Sequence, residues 1–190
     1  MDTDVKVPAG ALASPKVSSP QQTTVPSGLA PQVWYLPTET EAKVKAGTVV
    51  KYDSQGNFPA GKVADVCVAV VGEQPYAEGR GDKEDLSLAP ADVKMTEGMR
   101  DKCQKLVVVL ISGRPMIVTD PLKQWDAFVA AWLPGTEGQG VADVLFGDKP
   151  FTGKLPYTWP RSNDQLPFDF KNLGSGDQGP LFPLGYGLTQ

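Results

Sequence analysis

The fold is decided by a run of nine residues, Val63-Ala64-Asp65-Val66-Cys67-Val68-Ala69-Val70-Val71, in which only one side chain is charged. An almost uninterrupted apolar run of this length is typical of a strand buried on both faces, as in parallel sheets that helices cover on both sides. Two further apolar runs follow at residues 106–111 and 127–133. The three runs predict three strands of one mostly parallel sheet.

The segments between and after these runs carry helical signals. Residues 90–102 hold spaced apolar side chains among charged ones, and Pro90 suits a first helical turn. A short helical segment is predicted near residues 121–123. Residues 137–146 form a further predicted helix, which ends at Gly147 and turns four apolar side chains inward, Val141, Ala142, Val144 and Leu145. Strands that alternate with helices indicate an α/β fold, an open and mostly parallel sheet sandwiched by helices.

The chain divides into an arm and a domain. Residues 1–45 are rich in Pro, Ser and Thr, and this composition cannot bury enough apolar surface to offset the entropy of ordering. We therefore expect a flexible or loosely packed arm, followed by the α/β domain over residues 46–190. Within the domain, residues 48–52 are a short strand candidate. Residues 154–160 contain two prolines, so a strand there must be an edge strand, near the C-terminus.

Composition excludes several classes of function. The net charge of -4, with basic residues scattered singly, argues against nucleic acid as a partner, and no apolar run approaches the roughly 20 residues that span a bilayer. The absence of histidine removes Ser-His-Asp and Cys-His catalysis and argues against a transition-metal site. We expect no metal, no cofactor and no disulfide between Cys67 and Cys103. The N-terminus lacks the pattern of a signal peptide, and localisation stays open.

Three loops leave the carboxyl ends of the predicted strands, where open α/β sheets bind their ligands. They are residues 72–85, 112–115 and 134–140. The first is long for a connection between a strand and a helix, and long loops in compact domains are often functional. It holds five carboxylates, together with glycines that let the backbone approach a ligand. Acidic, glycine-rich loops are more often simply solvated, so the loop alone is weak evidence of a site.

Ordered motifs give residues 66–188 a resemblance to a known family. They include Gly72-Glu73-Gln74-Pro75-Tyr76-Ala77-Glu78, Ser112-Gly113-Arg114-Pro115, Leu133-Pro134-Gly135-Thr136-Glu137-Gly138 and Pro183-Leu184-Gly185-Tyr186-Gly187-Leu188. This stretch resembles the second domain of family 3 glycoside hydrolases, the β-glucosidases and exo-β-glucanases. The Gly-Glu-x-Pro-Tyr-x-Glu pattern is most similar to the exo-β-glucanase branch of plants and marine bacteria.

The resemblance implies a role for each candidate site residue. In that family a barrel domain supplies the aspartate nucleophile, and the second domain supplies a glutamate acid/base from the loop after a strand. Glu78 matches that glutamate, and Glu73, Asp82 and Glu84 are the alternatives. A retaining enzyme needs two carboxyl groups about 5 Å apart, and its proton donor must be neutral at the working pH. Negative charge from Glu73, Asp82, Glu84 and Asp85 would favour the neutral form of Glu78. Four residues are candidates for substrate binding, Glu73, Arg80, Asp82 and Arg114.

Other polar and aromatic residues favour structural interpretations. Arg114 is expected to form an ion pair rather than contact substrate, and Glu137 is expected to cap a helix start, where a carboxylate interacts favourably with the dipole. Trp132 lies inside an apolar run and is assigned to the core. The remaining tryptophans, which have the chemistry to stack on sugar rings, lie outside the loops that the resemblance marks, namely Trp34, Trp125 and Trp159.

The sequence departs from the family pattern at its N-terminal side. No barrel precedes the domain within these 190 residues, and the strand and helix units that open the family's second domain are not recognisable in residues 1–45. We therefore expect this polypeptide alone to be inactive. The first hypothesis is the acid/base half of an enzyme for β-linked glucosides or oligosaccharides, completed by a barrel domain in cis or in trans. The alternative is a non-catalytic module that binds carbohydrate or protein. A nucleotide-binding domain is disfavoured because Gly79-Arg80-Gly81 lacks the required fingerprint.

Overall fold

A computed structural model describes the backbone of residues 4–6 and the residues 44, 46–61, 63–77, 79 and 81–188. We number the strands and helices in chain order. The strands are β1 (Asp4–Lys6), β2 (Val49–Lys51), β3 (Ala64–Gly72), β4 (Cys103–Ile111) and β5 (Ala127–Trp132). The α-helices are α1 (Pro90–Arg100) and α2 (Gly138–Leu145). Short 3-10 helices occur at Pro121–Gln124, Asn163–Gln165 and Gly176–Gln178.

The three predicted apolar runs form one parallel sheet in the order β3-β4-β5. Cys67 lies opposite Leu106 in the first pairing, and Val109 lies opposite Val129 in the second. The predicted α/β fold is thereby confirmed. The short strand predicted at residues 48–52 is β2, which pairs antiparallel with β1. The rest of the predicted N-terminal arm lies outside the described residues, apart from residue 44.

Burial differs between the three strands of the parallel sheet. The central strand β4 is buried along most of its length, as its apolar run predicts. The first half of β3 is exposed instead, and Val66 retains 57% of its accessible surface. The expectation that this run is buried on both faces is therefore wrong for its N-terminal half. The C-terminal half of the same strand, from Cys67 to Gly72, is buried or half-buried although it has the same single strand neighbour, so the difference lies in what packs on the faces of the strand.

The main core lies on one face of the sheet. Leu106, Val108 and Leu110 of β4 pack there with Met99 of α1. Trp159 is 1% exposed in this core, and its Nε1–H donates to the Met116 carbonyl at 2.8 Å. Trp125 is also a buried core residue, while Trp34 lies outside the described residues. Trp125 and Trp159 are therefore unavailable to sugar rings, because burial within the core occupies their faces.

The helices begin and end close to the predicted positions. Pro90 occupies the first turn of α1, where its missing N–H costs no hydrogen bond. Gly147 follows α2 with a φ of +82°, a left-handed conformation that favours glycine at a helix end. Glu137 is the residue before α2, yet its side chain makes no capping bond and instead accepts from the Thr136 hydroxyl at 3.1 Å. Glu137 therefore occupies the predicted N-cap position without a side-chain hydrogen bond to the helix.

The C-terminal segment packs against the domain through a few backbone bonds. In place of the edge strand predicted at residues 154–160, the described structure has an isolated antiparallel bridge between Trp159 and Phe182. The Phe182 carbonyl accepts from the Trp159 N–H at 2.8 Å. Pro156 and Pro160 have no N–H to donate, which limits a regular ladder here. The two cysteines, Cys67 and Cys103, are both buried free thiols.

Candidate functional site

The candidate site begins where β3 and β4 end side by side. Gly72 closes β3 opposite Ile111, and a Cβ at Gly72 would clash with the Ile111 carbonyl oxygen. Only glycine therefore allows this close approach of the two strands. The loops that follow, residues 73–85 and 112–115, leave the same edge of the sheet because the strands are parallel. This is the edge that the sequence predicts for the site.

A partly buried ion pair joins the two loops. The Arg114 guanidinium donates from Nη2 to Glu73 Oε1 at 2.7 Å, and its Nε lies 3.1 Å from both carboxylate oxygens. The Ser112 hydroxyl donates to Glu73 Oε2 at 2.7 Å, and Lys83 Nζ lies 3.6 Å from Oε1. The Glu73 side chain is only 4% exposed, and that of Arg114 is 20% exposed. The ion pair expected of Arg114 is present, with Glu73 as its partner.

Glu73 is held as an anion by this arrangement. Burial alone would raise its pKa, but hydrogen bonds from Arg114 and Ser112 and the positive charges of Arg114 and Lys83 together lower it. The hydrogen bond to Glu73 is likewise the largest cause of the raised pKa of Arg114. Arg114 and Lys83 offset the negative charge of Glu73.

Arg114 also fastens the far side of the first loop. Its Nη1 donates to the Gly81 carbonyl at 2.6 Å, and its guanidinium carbon lies 4.5 Å from the centre of the Tyr76 ring. Within the loop, the Gly81 N–H donates to the Ala77 carbonyl at 2.9 Å. One arginine thus holds the loop before and after position 78. A bidentate arginine suits this task because its planar fork fixes direction as well as distance.

A second anchor joins the end of the loop to the C-terminal segment. Asn163 Nδ2 donates to Asp85 Oδ1 at 2.7 Å, and Asn163 Oδ1 accepts from the Leu86 N–H at 2.9 Å. Hydrogen bonds from Ser87 and Asn163 lower the pKa of Asp85. The Asp85 carboxylate therefore accepts hydrogen bonds from both the Ser87 N–H and the Asn163 side chain. Sequence reasoning missed Asn163, because nothing in the sequence marks a contact between residues so distant along the chain.

The match to a family model decides the identity of the domain. Residues 10–190 match the model described as the glycosyl hydrolase family 3 C-terminal domain. The chain belongs to this family. It is 36% identical over 150 residues to a periplasmic β-glucosidase of Salmonella typhimurium, covering 68% of this chain and 20% of the relative. It is 33% identical over 190 residues to a β-xylosidase of Formosa agariphila, covering 86% of this chain and 26% of the relative.

Solved structures give the same assignment of fold. A β-glucosidase from Listeria innocua in complex with glucose matches with a TM-score of 0.58 and 27% identity, over 65% of this chain and 20% of that one. A β-glucosidase from Erythrobacter marinus matches with a TM-score of 0.54 and 33% identity, over 65% of this chain and 19% of that one. The family 3 domain described here thus spans about a fifth of the length of these relatives.

The predicted site residues of this family 3 domain fall into three groups. Glu73 and Arg114 are brought together as described. Asp82 lies exposed on the first loop, where its N–H donates to the Gly79 carbonyl at 3.2 Å. Glu78 and Arg80 lie outside the described residues, so their predicted roles stay predictions. Glu84 is exposed on the same loop.

An open concavity of about 560 Å³ lies against the first loop. Its lining consists of Gln74, Pro75, Tyr76, Ala77 and Lys83. Sequence reasoning did not single out Tyr76, although it belongs to the motif that carries the family resemblance. The concavity combines an aromatic ring with an ammonium and an amide group, a combination that suits a ligand with both apolar and hydroxyl surfaces.

Neither a membrane span nor a metal site is found among the described residues. None of the described helices is both long and apolar enough to cross a membrane. Across the ranges that the structure describes, no three acidic or cysteine side chains are grouped so that they could hold a metal ion.

At the end of β5 the backbone turns sharply. Trp132 has a φ of +56°, a left-handed conformation that is unusual for a residue other than glycine. Its carbonyl accepts from the Ser112 N–H at 3.1 Å, which ties β5 to the second loop. The Trp132 ring packs partly buried against Tyr157 and Trp159, so its assignment to the core holds in part. The next residue, Leu133, is exposed at the same edge of the sheet.

Proposed function

We propose that this family 3 domain supplies the acid/base half of a retaining glycosidase that acts on β-glucosides or β-glucans. Glu78 is the general acid/base in this proposal, and a barrel domain in cis or in trans supplies the nucleophile. Arg80 and Asp82 are the candidates for direct substrate contact. Glu73 and Arg114 hold the loop, and any contact of theirs with substrate would be secondary.

The observation that carries the proposal is the clamping of the first loop by Arg114. The guanidinium bonds to Glu73 before position 78 and to Gly81 after it. An acid/base group must be held within about 0.5 Å of its productive position by residues that are themselves fixed. A loop fastened on both sides by one partly buried arginine meets that requirement, whereas a merely solvated acidic loop needs no such anchor.

The relatives support the choice of substrate class. The relatives include a β-glucosidase and a β-xylosidase, and Listeria innocua β-glucosidase structures hold glucose or laminaribiose. Both kinds of enzyme act on a β-linked pyranoside. We place β-glucosides first because the two solved structures compared above are both β-glucosidases.

The proposed chemistry needs two carboxyl groups. In the first step the nucleophile attacks the anomeric carbon while Glu78 donates a proton to the departing oxygen. In the second step Glu78 takes a proton from water, which attacks the same carbon and releases the nucleophile. One carboxyl group cannot perform both displacements. The 190-residue chain alone is therefore expected to be inactive.

The test uses the chain joined to the barrel domain of a family 3 relative, with a β-glucoside that has a poor leaving group. Glu78→Gln should lower kcat by about 100-fold or more, because general acid catalysis contributes 10²–10⁴-fold. The matched control is Glu84→Gln, an exposed glutamate of the same loop, which should leave kcat within about twofold. Equal activity of the Glu78→Gln and parent proteins would refute the proposal.

The alternative is a non-catalytic module that binds carbohydrate or protein. The observation in its favour is the exposure of Tyr76 and Leu133 at the edge of the sheet. The same joined protein separates the two hypotheses. A module that binds sugar while the joined protein shows no hydrolysis dependent on Glu78 would favour the alternative.

A further inference from the structure

We infer that Tyr76 is a stacking platform for a pyranose ring, with Gln74 and Lys83 as its polar flank. This inference rests on the proposed function, since it names a part of the surface that would receive the glycoside. It does not depend on Glu78, because all three residues belong to the described part of the loop. The ligand class is a β-linked hexopyranoside.

The position of the Tyr76 ring is fixed on three sides. One face lies on the Arg114 guanidinium at 4.5 Å. One edge lies against Gly81, where a Cβ would clash with the ring, and a Cβ at Gly113 would approach the hydroxyl to 2.9 Å. Two glycines therefore make room for this ring, and Arg114 is itself held by Glu73. A ring fixed in advance loses little freedom when a ligand binds to it.

The remaining surface of the ring is available to a ligand. Tyr76 is 41% exposed although one face and two edges are covered, and it lines the open concavity described above. This exposed surface lies at the concavity, beside Gln74 and Lys83. The ring is therefore exposed at a fixed orientation, which is what a stacking contact requires.

The chemistry around the ring fits a pyranose better than a wholly apolar group. In β-glucopyranose the hydroxyl groups are equatorial, so each ring face presents axial C–H groups while the rim carries oxygen. The C–H face would pack on Tyr76, and the rim would meet the flank. The Lys83 side chain is 51% exposed, and its ammonium carries three donors, of which Glu73 at 3.6 Å uses at most one. Gln74 adds an amide to the same concavity.

The test titrates the 190-residue chain with laminaribiose and follows backbone amide signals by NMR. Signals of residues 74–83 should shift, with a Kd in the millimolar range, since a single stacking surface with a few polar contacts gives weak binding. Tyr76→Leu should weaken binding about 10-fold or more, and Tyr76→Phe should bind within about threefold of the parent. Leucine removes both the aromatic face and the ring contact with Arg114. Urea unfolding of Tyr76→Leu with the parent's midpoint, together with lost binding, therefore assigns the loss to the missing ring face rather than to a folding defect.

Two controls make the outcome decisive. Tyr52→Leu changes an exposed tyrosine outside residues 72–85, directly after β2, and should leave the titration unchanged. Sorbitol carries hydroxyl groups without a rigid C–H face and should produce no shifts in residues 74–83. Absence of shifts with about 50 mM laminaribiose, or equal binding by Tyr76→Leu, overturns the inference.

The roles of Tyr76 and Glu78 can be refuted independently, because one is read from binding and the other from hydrolysis. If Tyr76→Leu binds laminaribiose like the parent while Glu78→Gln still abolishes hydrolysis in the joined protein, the platform is refuted and the acid/base role stands. If binding depends on Tyr76 but hydrolysis does not depend on Glu78, the platform stands and the acid/base role is refuted.

Discussion

Replacing Arg114 with methionine tests the physical basis of the candidate site. Methionine keeps much of the side-chain volume but removes the charge and all the donors. The Glu73 carboxylate would lose three short N–H contacts and would retain the Ser112 hydroxyl at 2.7 Å and the Lys83 ammonium at 3.6 Å. The Gly81 carbonyl would lose its 2.6 Å donor. We therefore expect the loop to lose its anchor on both sides.

The magnitude follows from burial. Removing one partner of a buried ion pair costs 3–5 kcal/mol, and the partial exposure of Arg114 places the expected cost near the lower end, at about 3 kcal/mol. For a chain of 150–250 residues, each 1 kcal/mol lowers Tm by about 2–4 °C, so Tm should fall by about 6–12 °C. Urea unfolding gives the free energy and thermal unfolding gives Tm, both followed by tryptophan fluorescence, since buried tryptophans report on the core.

The loss of unfolding free energy caused by Arg114→Met should also depend on pH. In the parent, the folded-state pKa of Glu73 is lowered, so Glu73 contributes stability above its unfolded pKa, and this is lost as pH falls through the folded value. In Arg114→Met, burial dominates and should raise the folded pKa, so ionised Glu73 destabilises the fold above its unfolded pKa. The difference in unfolding free energy between the two proteins should therefore be larger at pH 7 than at pH 4.

Two comparisons make the reasoning refutable. The double variant Glu73→Gln/Arg114→Met should recover at least about 1 kcal/mol of the loss, because no charge is left buried without a partner. Lys123→Met removes an exposed pair with Asp120 and should cause no measurable change. A cost below about 1 kcal/mol for Arg114→Met, with no dependence on pH, would show that the pair behaves like a surface ion pair.

Three further predictions concern other parts of the domain. Leu106→Ala, at a fully buried site on β4, should lower the unfolding free energy by about 2–5 kcal/mol. Val66→Ala, on the exposed half of β3, should lower it by less than about 1 kcal/mol. Equal losses in urea unfolding would contradict the described burial. Asn163→Ala should speed amide hydrogen exchange at Leu86 and Ser87, while Asn172→Ala should not; unchanged exchange would mean that Asn163 does not hold the loop. Burial, with the neighbouring Cys103, raises the pKa of Cys67 from 9.0 to about 12. The protonated thiol therefore makes its full contribution to the free energy of unfolding below pH 9, and this contribution is lost as pH rises toward 12. The parent should lose about 1 kcal/mol between pH 9 and pH 10 that Cys67→Ala does not lose, and parallel curves for the two proteins would refute this.

The sheet could be predicted from the sequence because its strands are continuous apolar runs. The run at residues 106–111 lies in the central strand, where both faces are covered, and pattern and burial agree there. The run at residues 63–71 shows where this reasoning stops. Its apolar character is the same, but its first half is exposed, because burial depends on what packs on the faces of the strand. The sequence of one strand does not show what will pack on its faces.

The candidate site was predictable only in part for the same reason. The family motif marks the first loop and Arg114, and the structure adds how they are connected. The ion pair of Glu73 with Arg114 spans 41 positions, and the contact of Asn163 with Asp85 spans 78. Such contacts depend on the tertiary fold, which brings distant loops to one edge of the sheet. The position of Tyr76 between two glycines and a guanidinium likewise emerges only from the packed loops.

The most direct test of the account is the product formed by Glu78→Ala with azide. The variant, joined to the barrel domain of a family 3 relative, is given 2,4-dinitrophenyl β-glucoside, whose leaving group needs no proton. Glycosylation should proceed, and azide should then attack the glycosyl-enzyme in place of base-activated water. NMR should detect β-glucosyl azide, with faster release of the phenolate as azide is added. A variant that forms no glycosyl azide and still hydrolyses the substrate at the parent rate would contradict the assignment of Glu78 as the acid/base.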